Sequence, residues 1–79
     1  MMDEAIKKIR KELEFQARGL RIPEAAADEF IKITLDAVYK DLVGRKIITV
    51  DDIKRRVVKE LKKYNKDFAY VYENYDIII

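Results

Sequence analysis

The 79-residue sequence contains no cysteine, histidine, serine or tryptophan, and only two glycines and one proline. Without cysteine there is neither a disulfide nor a thiol nucleophile, and without histidine the commonest general base and metal ligand is missing. Because Thr34 and Thr49 carry the only aliphatic hydroxyls, a serine nucleophile with a histidine partner is excluded too. The sequence therefore predicts a protein that is not an enzyme, and we assign it no cofactor.

Long apolar runs are also missing. No stretch approaches the roughly 18 apolar residues of a membrane span, and the first residues lack the apolar core of a signal peptide. Charged residues make up 41% of the chain, with both signs mixed, which is typical of heat-adapted cytoplasmic proteins. We expect a cytoplasmic protein with no membrane partner. Its length predicts one domain, residues 1–79, small enough that self-association would add to its stability.

The few glycine and proline residues divide the chain into predicted helices. The first spans Asp3 to Arg18, with apolar residues at helical spacing, and Gly19 is expected to end it in the left-handed conformation. Pro23 is expected at the first position of a second helix that runs to Leu42 or Val43. Its apolar residues cover more than one stripe, so two neighbours should pack against it. They are Ala26, Ala27, Phe30, Ile31, Ile33, Leu35, Ala37, Val38 and Leu42.

A third and a fourth helix are predicted in the second half of the chain. Thr49 and Asp52 have the spacing of a capping box, and we favour Ile47 or Ile48 as a hydrophobic staple over a one-bond β bridge. The predicted buried stripe of the third helix is Val50, Ile53, Val57, Val58, Leu61 and Tyr64. After Asn65, a short fourth helix is indicated by Phe68, Ala69, Val71, Tyr72 and Tyr75. The predicted fold is all-α, with three helices plus a short fourth and with the third packed on the second.

Three consecutive isoleucines, Ile77, Ile78 and Ile79, follow the fourth predicted helix. Leaving them in water would cost roughly 1.5 to 3 kcal/mol each. One interpretation is that they fold back onto the core of their own chain. The other is that they add to a neighbouring subunit, which makes them candidate self-association residues.

Positive charge is concentrated in one region. Residues 45–66 carry nine cations against three anions. A row of cations on one helix face can track phosphates, and the candidate nucleic-acid-binding residues are Arg45, Lys46, Arg55, Arg56, Lys59, Lys62 and Lys63. The alternative is an ordinary solvated face whose cations offset the helix dipole.

Aromatic and acidic residues in the same half of the chain have ordinary explanations. The tyrosines Tyr64, Tyr70, Tyr72 and Tyr75 could stack on bases, although core packing is the more common role of such residues. Adjacent acids such as Asp51 and Asp52 point apart on a helix and match no metal-binding loop, so no metal site is assigned.

Two stretches resemble known families. The run from Ile48 to Tyr75, with a capped helix ending in Leu61-Lys62-Lys63 and then a short helix, resembles the C-terminal helical part of ATP-cone domains. Those domains are allosteric nucleotide-binding modules of ribonucleotide reductases and of their repressor, so the resemblance implies a helical nucleotide-sensing module. The hairpin with which ATP-cones contact the nucleotide has no counterpart before Asp3, and no cofactor-binding residues are carried over.

The stretch "GRKIITVDDIK", residues 44–54, resembles the loop and third-helix start of archaeal histones. This resemblance implies DNA phosphate contacts by Arg45 and Lys46. The chain departs from the family at Ile47, where histones have threonine, and in its second helix, which is shorter than the histone middle helix.

Together these features predict a small, non-catalytic protein-interaction or regulatory module whose partner is another copy of itself or another protein. A DNA-binding protein that uses the basic face of residues 45–66 is the alternative. A degenerate nucleotide-sensing module comes third.

Overall fold

The structure, a computed structural model, describes residues 2–74. It contains four helices in chain order: α1 (Met2–Gly19), α2 (Glu24–Leu42), α3 (Val50–Leu61) and α4 (Lys66–Glu73). Helix α2 packs against α1 and α3, and α4 packs against α3 and α1. The predicted all-α fold, with two helices packed against the second helix and with a short fourth helix, is confirmed. None of the helices in this part of the chain is long and apolar enough to cross a membrane.

The end of α1 differs from the prediction. Gly19 does not adopt a positive φ, and the left-handed residue is Arg21, with φ of 59°. The Ile22 N–H donates to the Ala17 carbonyl and the Arg21 N–H donates to the Arg18 carbonyl, both at 3.0 Å. These two bonds form a Schellman motif, in which the left-handed position is usually glycine. The prediction for Gly19 was wrong because the motif lies two residues further along the chain.

Helix α2 presents a buried stripe to both neighbours, formed by Ala27, Ile31, Leu35, Val38 and Leu42. Pro23 is the N-cap rather than the first helical residue, and its carbonyl accepts from the Ala27 N–H at 2.9 Å. Two members of the predicted apolar set, Ala26 and Ile33, are exposed. The helix ends at Leu42, as predicted.

Helix α3 begins with the predicted capping box. The Asp52 N–H donates to Thr49 Oγ1 and the Thr49 N–H donates to Asp52 Oδ2, each at 3.1 Å. Ile48 packs against the core, as a staple would, whereas Ile47 is 84% exposed. The buried stripe was predicted too wide at both ends, since Val50 is 54% and Tyr64 is 49% exposed. Both side chains flank the core-facing residues Ile53, Val57, Val58 and Leu61.

Helix α4 closes the bundle. Asn65 Oδ1 accepts from the Phe68 N–H at 3.0 Å and so caps its N-terminus. Phe68 is fully buried and meets the Phe30 ring edge-on, with 5.5 Å between ring centroids. Tyr72 is also buried, and its hydroxyl donates to Glu12 Oε1 at 3.3 Å. Tyr75, which was predicted to belong to this helix, lies outside the described residues.

Two uncharged polar side chains, Gln16 and Thr34, lie in the apolar core. Gln16 is 5% exposed and Thr34 is fully buried. Within residues 2–74, the Gln16 amide and the Thr34 hydroxyl have no hydrogen-bond partner. A buried amide without a partner costs free energy, so Gln16 lowers the stability of this small core.

Candidate interaction surfaces

The predicted basic face divides into two groups with different surroundings. Arg55, Lys59 and Lys62 are exposed along α3. In the described part of the chain, none of these three forms an ion pair, whereas Arg56 and Lys63 do.

Arg56 connects α3 to α2. Its Nε donates to Asp41 Oδ2 at 2.7 Å, and its Nη1 lies 2.7 Å from Glu60 Oε1. Lys63 Nζ donates to the same Glu60 oxygen at 3.0 Å. Only 23% of the Arg56 side chain is exposed. This candidate nucleic-acid-binding residue therefore forms ion pairs within the protein, with Asp41 and Glu60. Lys63 remains largely exposed at the end of the network.

The network keeps both carboxylates ionised. The hydrogen bond from Arg56 lowers the pKa of Asp41, and it raises the pKa of the guanidinium in return. For Glu60, the hydrogen bond from Lys63 is the largest cause of a lowered pKa, with Arg56 adding to it against the opposing effect of burial. Glu60 is 4% exposed, so two cations compensate for a buried negative charge.

A small cleft brings four of the predicted cations together. It has a volume of about 210 Å³ and lies where the loop after α2 meets α3. Arg45, Arg55, Arg56 and Lys59 line it with Asp41 and Asp52. The Thr49 backbone hydrogen bond lowers the pKa of Asp52, and the nearby Arg55 and Arg45 add to this effect. Asp41 is thus bound by Arg56 and Asp52 by the α3 cap, which leaves Arg45, Arg55 and Lys59 as the other cations that line the cleft.

Lys62 lies outside that cleft. It lines a groove of about 430 Å³ between α3 and α4, together with Arg55 and Lys59. Val58 and Tyr72 also line the groove, and Asp51 and Glu73 add negative charge. Tyr72 is buried against Glu12, in a core role, while Tyr64 and Tyr70 are 49% and 68% exposed. Arg55 and Lys59 therefore line both the cleft and the groove, whereas Lys62 lines the groove alone.

The predicted basic residue Lys46 lies on a different surface, at the end of the bundle where α1 begins, α2 ends and α3 begins. We call it the end surface. It is a depression of about 450 Å³ whose apolar lining includes Met2, Ala5, Tyr39, Val43, Ile48 and Val50. Arg45, Lys46 and Asp3 are its charged members.

Three large apolar side chains of the end surface are exposed around one depression. Val43 and Val50 are each 54% exposed and Tyr39 is 39% exposed. The sequence analysis missed this surface because it placed Val50 in the core and gave Tyr39 no role. The available signal was the combination of Tyr39 and Val43, one helical turn apart on α2, with the apolar residues that precede α3.

The candidate self-association residues Ile77, Ile78 and Ile79 lie outside the described part of the chain. Among residues 2–74, no group of acidic side chains is arranged to hold a metal ion. No known protein family, curated protein or solved structure matches this chain.

Proposed function

We propose that the protein is a non-catalytic interaction module that associates with a second copy of itself through the end surface. The observation that supports this proposal is the exposure of Tyr39, Val43 and Val50 around one depression. Contiguous exposed apolar residues rimmed by charge are typical of protein contact sites. The mixed, charge-rich composition is that of a heat-adapted cytoplasmic protein, so we propose the cytoplasm as its location.

The size of the driving force can be estimated. Complete burial of one large apolar side chain contributes about 1.5–3 kcal/mol, so each half-exposed side chain contributes about 1 kcal/mol. Tyr39, Val43 and Val50 from two copies then supply about 6 kcal/mol. Association costs about 4–15 kcal/mol in lost translational and rotational freedom. The end surface favours pairing, and further apolar groups must join it to make the pair stable.

The test is the molar mass of the full chain, measured by size-exclusion chromatography with light scattering. We expect a dimer for the unmodified chain and a monomer for Val50→Glu, since the substitution removes one of the three exposed apolar side chains on which the pairing depends. Glutamate at this first helical position suits the helix dipole, so the fold should persist, as circular dichroism can verify. Ile33→Glu is the matched control, because Ile33 is 44% exposed and does not line the end surface.

Retention of the dimer by Val50→Glu, or its loss in Ile33→Glu alone, would contradict the assignment of the end surface. A monomeric unmodified chain at every concentration would contradict self-association itself.

The second candidate function is binding to a nucleic-acid backbone, favoured by the convergence of Arg45, Arg55 and Lys59 on one cleft. Each neutralised phosphate releases counterions, so three contacts predict a slope of about −3 in a plot of log affinity against log salt. Reversing two of these charges in Arg55→Glu/Lys59→Glu should remove most of that dependence. Lys40→Glu, a charge reversal on α2, is the control, and a duplex affinity that does not change with salt would reject this function.

A further inference from the structure

We propose that the segment 75–79, Tyr-Asp-Ile-Ile-Ile, of one copy binds in the end surface of a second copy. This inference rests on the proposed self-association and names the partner of the end surface. The argument comes from the chemistry of the segment, the place where α4 ends, and the charges around the depression.

The first argument is that the segment contains three consecutive isoleucines. Successive side chains of an extended strand point to opposite faces, so a single surface covers only alternate residues of such a run. One surface of its own chain would cover one side only. Between two copies whose end surfaces face each other, both sides of the segment are covered, and this supplies the additional apolar contacts that the pair requires.

The second argument is position. Glu73, in the last turn of α4, lines a groove with Asp51, in the first turn of α3. Helix α4 therefore ends at the same end of the bundle as the end surface, which includes Val50. Five residues span at most about 17 Å when extended, which suits a contact between two copies joined at this end.

The third argument is charge. Arg45, Lys46 and Asp3 line the end surface, so two end surfaces face to face would bring together four cations and two carboxylates, with a net positive charge. The carboxylate of Asp76 in each bound segment would offset that charge. Opposite charges at the rim favour this occupant over an uncharged apolar segment.

Because the chain has no cysteine, pairs of engineered cysteines can test the proposal in the full-length protein. A chain carrying Val50→Cys is mixed with a chain carrying Ile78→Cys, and the second chain has an added tag so that the two differ in length on a gel. The mixture is then treated with a short bis-maleimide. We expect a covalent dimer of one tagged and one untagged chain. The matched control replaces Val50→Cys with Ile33→Cys, at a similarly exposed position away from the end surface, and should give several-fold less mixed dimer.

Three outcomes separate this proposal from the proposed function. If the unmodified chain is a dimer that Val50→Glu dissociates, yet the Val50→Cys mixture cross-links no better than the Ile33→Cys control, the segment is not the occupant and self-association stands. If a single chain carrying both Val50→Cys and Ile78→Cys closes on itself as a bridged monomer, the segment binds its own copy and the proposal is overturned. If the unmodified chain is a monomer, the proposed function fails as well.

Discussion

Glu60 provides a quantitative test of the ion-pair network on α3. Its carboxylate is 4% exposed and lies 2.7 Å from Arg56 Nη1 and 3.0 Å from Lys63 Nζ. Glu60→Gln keeps the size of the side chain and removes its charge. Hydrogen bonds to charged groups contribute about 1.5–3 kcal/mol, so we expect a loss of about 2 kcal/mol in the free energy of unfolding at neutral pH. In a domain of this size, that loss lowers Tm by about 8–16 °C.

The pH dependence of this effect has a definite sign. The two cations lower the pKa of Glu60 in the folded protein below its ordinary value of 4.5. The folded state therefore favours the ionised carboxylate, and this stabilisation is complete above pH 4.5 and lost as the pH falls through the lower, folded-state pKa. The difference in stability between the unmodified chain and Glu60→Gln should shrink over that acidic range.

The assay is thermal unfolding followed by circular dichroism, for both proteins, from pH 7 down to about 3, below the ordinary pKa of a carboxyl. Asp41→Asn is the comparison, because Asp41 bonds to the same Arg56 but its side chain is 43% exposed. Its replacement should cost less, since solvent screens exposed pairs. An unchanged Tm for Glu60→Gln at pH 7, or a deficit that persists undiminished at pH 3, would refute the reasoning.

Three further substitutions test the local structure by thermal or denaturant unfolding. Gln16→Leu should stabilise the protein by about 1–2 kcal/mol by removing an unpaired amide from the core, and a lower Tm would show that the amide is satisfied after all. Thr49→Ala should lower the free energy of unfolding by about 1 kcal/mol through loss of the α3 cap. Thr49→Ser keeps the hydroxyl and should retain most of the stability that the cap provides. Arg21→Gly should raise the free energy of unfolding by about 0.5–1 kcal/mol. A non-glycine residue at positive φ costs about 1–2 kcal/mol, and part of the gain from glycine is offset because glycine makes the unfolded chain more flexible. An equal stabilisation by Arg21→Ala would argue against strain at this position.

The sequence predicted the helices well because their signals are local. The Thr49 and Asp52 spacing located the start of α3, and the apolar periodicity located the buried sides of all four helices. The position of the left-handed residue was predicted wrongly because the preference for glycine at the end of a helix is only a tendency. In the folded chain, the packing of Ile22 and its bond to the Ala17 carbonyl decide where the turn closes.

The surfaces were harder to predict because they depend on contacts between helices. The sequence distinguishes Arg56 from Arg55 only by Glu60 four residues later, yet Arg56 also pairs with Asp41 on α2 while Arg55 faces solvent. In the same way, Val50 belongs to the apolar pattern of α3 but lies beyond the edge of the core, next to Val43 at the end of α2. The end surface exists only once three helix ends are brought together.

Sedimentation equilibrium of the unmodified full chain, across a wide range of protein concentration, tests the central claim most directly. Self-association through the end surface predicts that the mass rises with concentration from one chain of 9.4 kDa to two, and that Val50→Glu stays at one. A mass of one chain for the unmodified protein throughout that range would contradict the account.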